Sequence, residues 1–371
     1  MKILFIAPRL HSNQSDLIKK LNREGHNLKF LVMGISQSED HSIIKPIKIR
    51  DSFFNRLNFK NHKEKDFAKW AMSKIPSIFQ IISEIINFKP DVIILRGATT
   101  PVYSKIVLPI AKIMNIKVVF YTQGPLYVNK ISFLKKCYIS FINLLNIKWY
   151  TTVLYKDNNK NGKNKVPYLT YIPFFKELKI SEVSYKKYDT LKILCIGKYQ
   201  SSKNIKLLLE VINELNKKNY NFELTVIGST GTELRKNYFN EVNTYINRNN
   251  LKKKVTLLKD IPYEQIEDYY QSHDIFILPS IKEPASISQI EAMSYGLPVI
   301  CSTDNGTAHY VKDGINGFVI NMSFDNLYGS ILNYINEPNL LKKHSLMSIK
   351  VLSEDLNIDK SYKDFLELIQ S

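Results

Sequence analysis

Short apolar runs alternate with amphipathic stretches along most of the chain. Lys2–Ala7 reads as a buried strand that stops at Pro8, and Asp16–Glu24 reads as a helix ended by Gly25. Asn27–Met33 is a second strand. Ser77–Phe88 is predicted helical, with apolar residues at Ile78, Ile81, Ile82, Ile85 and Ile86. Lys89-Pro90 breaks that helix, and Asp91–Leu95 follows as a short strand. Pro101–Asn115 is another helix and Lys117–Thr122 another strand. Runs of Ile and Val between amphipathic helices imply a parallel sheet covered on both faces. Ile131–Tyr150 is strongly apolar with interspersed lysines. It reads either as an amphipathic element lying on a membrane or as a buried helix running into a strand at Thr151–Tyr155.

The pattern then restarts. Tyr168–Tyr188 is irregular, with Pro173 and mixed charge, and serves as a linker. Leu191–Ile196 opens a second series of strands, continued by Phe222–Gly228, Val255–Leu258, Ile275–Leu278 and Pro298–Ile300, with Ile205–Lys217 the first helix between them. The expected fold is α/β, with two Rossmann-like domains facing a cleft. The expected division is residues 1–175, residues 190–350, and a closing helical segment 351–371 that packs back on the first domain. Sheets of this kind bind ligands at the carboxyl ends of their strands.

Composition changes this picture in four ways. A chain of 371 residues, 44% hydrophobic, is too long for one ordinary core. The cysteines Cys137, Cys195 and Cys301 are far apart, which argues against a zinc site or a disulfide framework and for buried thiols in a reducing compartment. Met1–Ile6 is too short an apolar run for a secretory signal, and no stretch of about 18 uncharged apolar residues occurs. The expected location is therefore the cytoplasm. The net charge of +18 is one-sided: residues 1–180 hold 30 Lys and Arg against 11 Asp and Glu, and the remainder 22 against 23. A basic first half attracts an anionic partner: acidic lipid, a phosphorylated substrate or nucleic acid.

The chemistry concentrates in Pro279–Ile300. Glu283 and Pro284 lie in a loop after an apolar strand; Ala285, Ser286 and Ser288 are small residues at the start of a helix that contains Glu291. Helix amides left unpaired at an N-terminus suit a diphosphate. The two carboxylates suit sugar hydroxyls.

Glu283 and Glu291, with seven residues between them and EAMSYGLPVI following, resemble the E-x7-E signature of retaining GT-B glycosyltransferases of family 4 (group 1). The likeness extends to Ile196-Gly197-Lys198 with Lys203-Asn204, to Ser302–Gly306 and to Asp313–Gly317. The resemblance implies that Lys203 and Lys198 neutralise the leaving nucleotide and that Gly197 lets the loop approach the donor. It implies that Glu283 contacts the donor sugar and Glu291 the ribose, while the amides of Ser286, Ile287 and Ser288 hold phosphate. The loop at Ile261 would lie against the base. Gln123, Gly124, Arg96 and Arg9 would meet the acceptor.

Three departures stand out. Lys198 occupies a position where the family usually has Arg, and so replaces a planar fork by a point charge. The loop Pro8–Ser12 lacks the family's glycines, and Gln123 replaces a His. Gln cannot act as a base, but a retaining mechanism lets the departing phosphate oxygen take the acceptor proton. The resemblance further implies a UDP- or GDP-linked sugar donor, no cofactor, and a saccharide or lipid-linked acceptor; no D-x-D-like signature sits at a strand end, so no metal is expected. The basic first half suits peripheral contact with an anionic membrane, and the resemblance implies a place in capsule or lipopolysaccharide assembly. A sugar-nucleotide epimerase would use the same donor groove but needs acid/base groups that the sequence does not display. A nucleic-acid-binding protein would explain the charge, but no recognition motif accompanies it, so no nucleic acid partner is expected.

Overall fold

The computed structural model describes residues 1–10, 12–35, 42–53, 75–97, 101–123, 133–154, 169–180 and 190–371. The chain divides into two compact units, each built on its own parallel sheet.

Unit 1 comprises residues 1–152, 158–175 and 359–371. Its strands are β1 (Lys2–Ala7), β2 (Asn27–Val32), β3 (Ile47–Lys48), β4 (Val92–Arg96), β5 (Lys117–Thr122), β6 (Lys148–Thr151) and β7 (Leu169–Tyr171). They lie in the order β3-β2-β1-β4-β5-β6-β7, with every pairing parallel. The order reverses between β1 and β4, where Ile6 pairs with Leu95. Helices α1 (Ser15–Arg23), α2 (Ile78–Phe88), α3 (Val102–Ile113) and α4 (Phe133–Leu144) connect the strands. Helix α2 starts where the Ser77 hydroxyl accepts the Gln80 amide at 3.4 Å and stops at Lys89, whose φ of 51° is left-handed. It buries Ile81, Ile85 and Phe88 but leaves Ile78 and Ile86 exposed, a narrower apolar face than its sequence predicts.

Within Ile131–Tyr150, the described residues 133–150 contain α4 and most of β6. Ile139, Ile142, Ile147 and Trp149 enter the unit 1 core, with Trp149 tilted against Phe120 at 5.0 Å. The strand begins three residues before the predicted Thr151. Cys137, expected to be buried, is exposed on α4, while Cys195 and Cys301 are buried. Among the described residues no helix is long and apolar enough to cross a membrane.

Unit 2 comprises residues 153–157 and 176–358. Its strands are β8 (Leu191–Ile196), β9 (Phe222–Gly228), β10 (Val255–Lys259), β11 (Ile275–Leu278), β12 (Val299–Ser302) and β13 (Gly317–Ile320), in the order β10-β9-β8-β11-β12-β13. Helices α5 (Ile205–Lys217), α6 (Glu233–Arg248), α7 (Tyr263–Ser272), α8 (Ile287–Ser294), α9 (Phe324–Asn336) and α10 (Pro338–Lys350) complete it. The unit begins at Lys176, inside the irregular segment, because the Lys179 amide donates to Ser294 O at 3.0 Å. The last helix, α11 (Ile358–Gln370), buries Phe365 edge-on against Tyr150 at 5.6 Å and belongs to unit 1. Tyr362 adds a hydroxyl contact of 2.8 Å to His26 Nε2.

Both sheets therefore repeat one doubly wound plan. Each places its reversal of strand order at the carboxyl end of its first strand, where such sheets bind ligands.

Candidate functional site

In unit 2 the reversal falls between β8 and β11, which pair through Ile193–Ile275. The loop leaving β8 is tightly fixed. Tyr199 is fully buried, and its hydroxyl donates toward Leu258 O at 2.8 Å and Val226 O at 3.1 Å. Gly228, at the end of β9, lies under this loop. A Cβ there would collide with Gly197 O and come within 2.8 Å of the Tyr199 ring. Gly197 in turn lets Lys203 pass over it, since a Cβ on Gly197 would sit 3.3 Å from Lys203 Cδ. Lys198 lies half-buried on the same turn.

Lys203 reaches across to Glu283 and forms an ion pair whose side chains are only 14% and 11% exposed. An ammonium has three donors, so this contact leaves capacity for a diphosphate. Glu283 is held by the neighbouring loop rather than by chance. Its amide donates to Asp304 O at 3.1 Å, its carbonyl accepts from Gly306 at 2.9 Å, and it bridges Asn305 in β fashion. Lys282 precedes it with φ 53°, a left-handed conformation that costs a non-glycine residue roughly 1–2 kcal/mol. The Lys282 amide is tied down by Asp304 Oδ2 at 3.0 Å. Beneath lies a buried polar network. Asn305 Nδ2 donates to Gln289 Oε1 at 2.7 Å, Gln289 Nε2 donates to Thr307 O at 2.8 Å, and the Thr307 hydroxyl donates to Asn305 Oδ1 at 2.7 Å.

Helix α8 starts at the end of β8, where the Ser288 hydroxyl donates to Ile196 O at 3.3 Å. The expectation of three phosphate-binding amides needs correction here. The Ser286 amide turns inward to the Thr307 hydroxyl at 3.2 Å, so the first-turn amides of Ile287 and Ser288 remain for an anion. Glu291 is buried further along the helix. Its two carboxylate oxygens accept from Tyr263 at 2.9 Å and Tyr270 at 3.0 Å, and Lys176 Nζ lies 3.9 Å away. Burial, then Glu291, pushes the Tyr270 phenol well above its ordinary pKa. Ile261, half-buried, sits two residues before Tyr263 in a loop that Asp260 ties to Thr230 at 2.9 Å. Gly197, Lys203, Glu283 and the start of α8 are thus brought together at the switch point, and Glu291 is bonded to Tyr263 and Tyr270 of α7, the helix that follows Ile261.

Residues 177–345 match the family described as Glycosyl transferases group 1. The match covers somewhat less than half of the chain. An uncharacterized glycosyltransferase of Haemophilus influenzae is 28% identical over 185 residues, covering 48% of this chain and 49% of the relative. The UDP-Gal:alpha-D-GlcNAc-diphosphoundecaprenol alpha-1,3-galactosyltransferase of Escherichia coli is 34% identical over 99 residues, covering 26% of this chain and 22% of its own. The chain spans between about a third and a half of the length of the first curated relatives it matches. A solved glycosyltransferase from Rickettsia africae aligns with 100% of this chain and 97% of its own, at a TM-score of 0.76 and 17% identity. That likeness establishes the fold: two parallel-sheet Rossmann-like units of the kind found in GT-B glycosyltransferases.

Unit 2 also contains neighbours of the candidate site that sequence reasoning missed. Lys176 lies in the segment read as linker, and one lysine in a lysine-rich chain gives no signal. Tyr263 and Tyr270 looked like ordinary helix aromatics. Gly228 could have been found, because a glycine closing the strand after a Gly197-type loop marks close backbone approach.

In unit 1, Arg96 ends β4 and donates to Gln123 Oε1 at 2.6 Å, with its guanidinium 5.6 Å from the Tyr121 ring centre. Gln123 Nε2 donates to the Tyr121 hydroxyl at 2.5 Å. Gly97, at φ 79°, makes the turn that follows. Arg9 follows β1 in the adjacent loop. Gly124 lies outside the described residues. Among the described residues no group of three or more His, Cys, Asp or Glu is placed to hold a metal ion.

Proposed function

We propose that this protein transfers a sugar from a UDP- or GDP-linked donor to a saccharide acceptor, with retention of anomeric configuration and without a metal. The observation that carries this reading is the buried Lys203–Glu283 pair at the β8/β11 switch point, beside Gly197 and the start of α8. Lys203, Lys198 and the Ile287 and Ser288 amides stabilise the departing diphosphate, a role that preorganised charges fill without a divalent ion. Glu283, fixed by the 304–306 loop, orients the donor sugar. Glu291 accepts from the ribose, and Ile261 lies against the base. The departing phosphate oxygen takes the acceptor proton, so Gln123 is not required as a base.

The acceptor is a lipid-linked saccharide bound by unit 1 through Arg9, Arg96, Gln123 and Gly124. The pathway is bacterial surface polysaccharide assembly at the cytoplasmic face of the membrane. The E. coli relative named for a diphosphoundecaprenol acceptor supports this, as does the basic excess of residues 1–180. Each Lys or Arg near an anionic surface contributes about 1 kcal/mol. Liposome sedimentation that shows no preference for anionic lipid would remove the membrane part. Calorimetry with UDP, GDP and ADP, followed by transfer assays with and without chelator, tests the whole. Binding of one nucleotide and chelator-resistant transfer are expected. If none of the three binds, the reading fails.

A further inference from the structure

Among the described residues of unit 1, none supplies a counter-ion to Arg96. One guanidinium nitrogen, Nη2, donates to Gln123 Oε1, while Nη1 is buried with no hydrogen-bond partner. The described aromatic groups packed around it are neutral. Tyr103 donates its hydroxyl to the Arg96 carbonyl, Tyr121 lies under the guanidinium, and Tyr150 stacks on Tyr121 at 4.6 Å. Burial raises all three phenols above their ordinary pKa even though Arg96 works against the shift, so none of them supplies negative charge. The sequence offers nothing nearby either. From Val92 to Lys156 there is no Asp or Glu, a stretch that covers β4, β5, β6 and the helices between them. Among the described residues Arg96 makes no ion pair.

A buried guanidinium edge without an anion is costly to keep. The surrounding hydrogen bonds nonetheless hold it in one orientation at a strand end next to the switch point. Arg96 as a whole is half-buried rather than sealed. An arginine fixed in this way, with a planar donor edge unused, matches a phosphate oxyanion. We propose that Arg96 is the anchor of an oxyanion subsite in unit 1, and that the acceptor carries a phosphate group which completes it. This rests on the transferase reading for its meaning, but the binding it predicts is measurable without turnover.

The test uses the full chain as wild type, Arg96→Gln, Arg96→Lys and Lys203→Ala, each titrated with farnesyl diphosphate, inorganic phosphate and UDP. Loss of a charge-assisted contact should weaken farnesyl diphosphate about 10- to 100-fold in Arg96→Gln, with Arg96→Lys between the two and UDP unchanged. Lys203→Ala should show the reverse pattern, losing UDP and keeping farnesyl diphosphate. A response to farnesyl diphosphate alone identifies a lipid-borne phosphate, and a response to inorganic phosphate as well identifies the oxyanion as sufficient; both support the subsite. Farnesyl diphosphate binding that is absent in wild type, or equal in wild type and Arg96→Gln, overturns it. If Arg96→Gln also loses UDP, the chain is generally disturbed and Arg96→Lys decides: retained oxyanion binding supports the subsite, and loss overturns it. Absence of UDP binding in every protein sinks the donor assignment and leaves this subsite to be judged on its own titration.

Discussion

In unit 2 the charged groups at the strand ends meet partners from the same unit: Lys203 meets Glu283, Glu291 meets Lys176 and two tyrosines, and Asp260 meets Thr230. In unit 1, built on the same strand plan, Arg96 meets an amide oxygen and neutral phenols. The first arrangement is complete in the protein alone, and its charges are held in place before any ligand arrives. In the second, no described residue compensates the charge. The lesson is that one sheet topology can present either a preorganised site or one that a ligand must finish. The choice is made by a few side chains at the strand ends, not by the fold.

The largest effect is expected where unit 2's internal pairing is broken. Lys203→Ala should lower kcat/KM by about 100- to 1,000-fold, the usual result of removing one preorganised donor to a developing anion. It should also destabilise the chain, because Glu283 is then a mostly buried carboxylate without its ion pair. The double variant Lys203→Ala/Glu283→Ala should recover part of that stability while staying inactive, since nearby groups of one network are not additive. Urea unfolding of the three proteins checks this. Equal stability for single and double variants would mean that the pair is not coupled, and the contrast between the units would lose its clearest term.

A second test concerns why the loop after β8 sits so close to its sheet. In unit 1 the strand beside β1 ends in Val32, a residue with a side chain; in unit 2 the strand beside β8 ends in Gly228. Gly228→Ala should cost about 1–3 kcal/mol by overpacking against Gly197 and Tyr199. UDP affinity should fall with it, because Lys203 crosses that same loop. Val32→Ala should leave UDP affinity unchanged.

Much of this was legible in the sequence. The alternation of Ile/Val runs with helices gives both parallel sheets, and Gly197, Lys203, Glu283 and Glu291 occur in an order that points to one strand-end site. What was not legible came from tertiary pairing. Nothing local distinguishes Lys176 from its lysine neighbours, and the inward turn of the Ser286 amide depends on Thr307, twenty-one residues away. Cys137 lies in an apolar run yet is exposed, because apolar density without a clean helical period does not say which face of α4 packs.

Matched phenols in the two units allow a finer comparison. The Tyr270 hydroxyl donates to the Glu291 carboxylate, a charged acceptor, and such bonds contribute about 1.5–3 kcal/mol. Tyr270→Phe should therefore weaken nucleotide binding about tenfold or more. The Tyr121 hydroxyl accepts from the neutral Gln123 amide, and Tyr121→Phe should change nucleotide binding less than about threefold. Calorimetry with UDP separates the two. Similar losses in both variants would show that the phenols act through general packing rather than through the charge they serve.

The smallest effect expected is a pH dependence that belongs to unit 2. His309 follows the loop that carries Gly306, and burial pulls its pKa down to about 4 from 6.5. Between those values the unfolded chain binds a proton that the folded chain refuses, so this contribution is intact above pH 6.5 and lost as pH falls toward 4. Asp274, at the opposite end of the same sheet, is pushed up by burial to about 6. Its sign is the reverse: the folded chain keeps a proton that the unfolded chain has shed, so stability rises as pH falls from 6 toward 4. His26, His273 and His344 are lowered by burial in the same sense as His309 and form a background common to both variants. His309→Gln should flatten the loss of stability between pH 6.5 and 4.5 by on the order of 2 kcal/mol, and Asp274→Asn should steepen it. Because Gly306 donates to the Glu283 carbonyl, protonating His309 also disturbs the loop that positions the donor carboxylate. UDP affinity in the wild type should therefore decline over the same window and decline less in His309→Gln. Urea unfolding and UDP titration at pH 4.5, 5.5 and 7 read both effects. Identical slopes for wild type and His309→Gln would detach the site loop from the titration of this histidine.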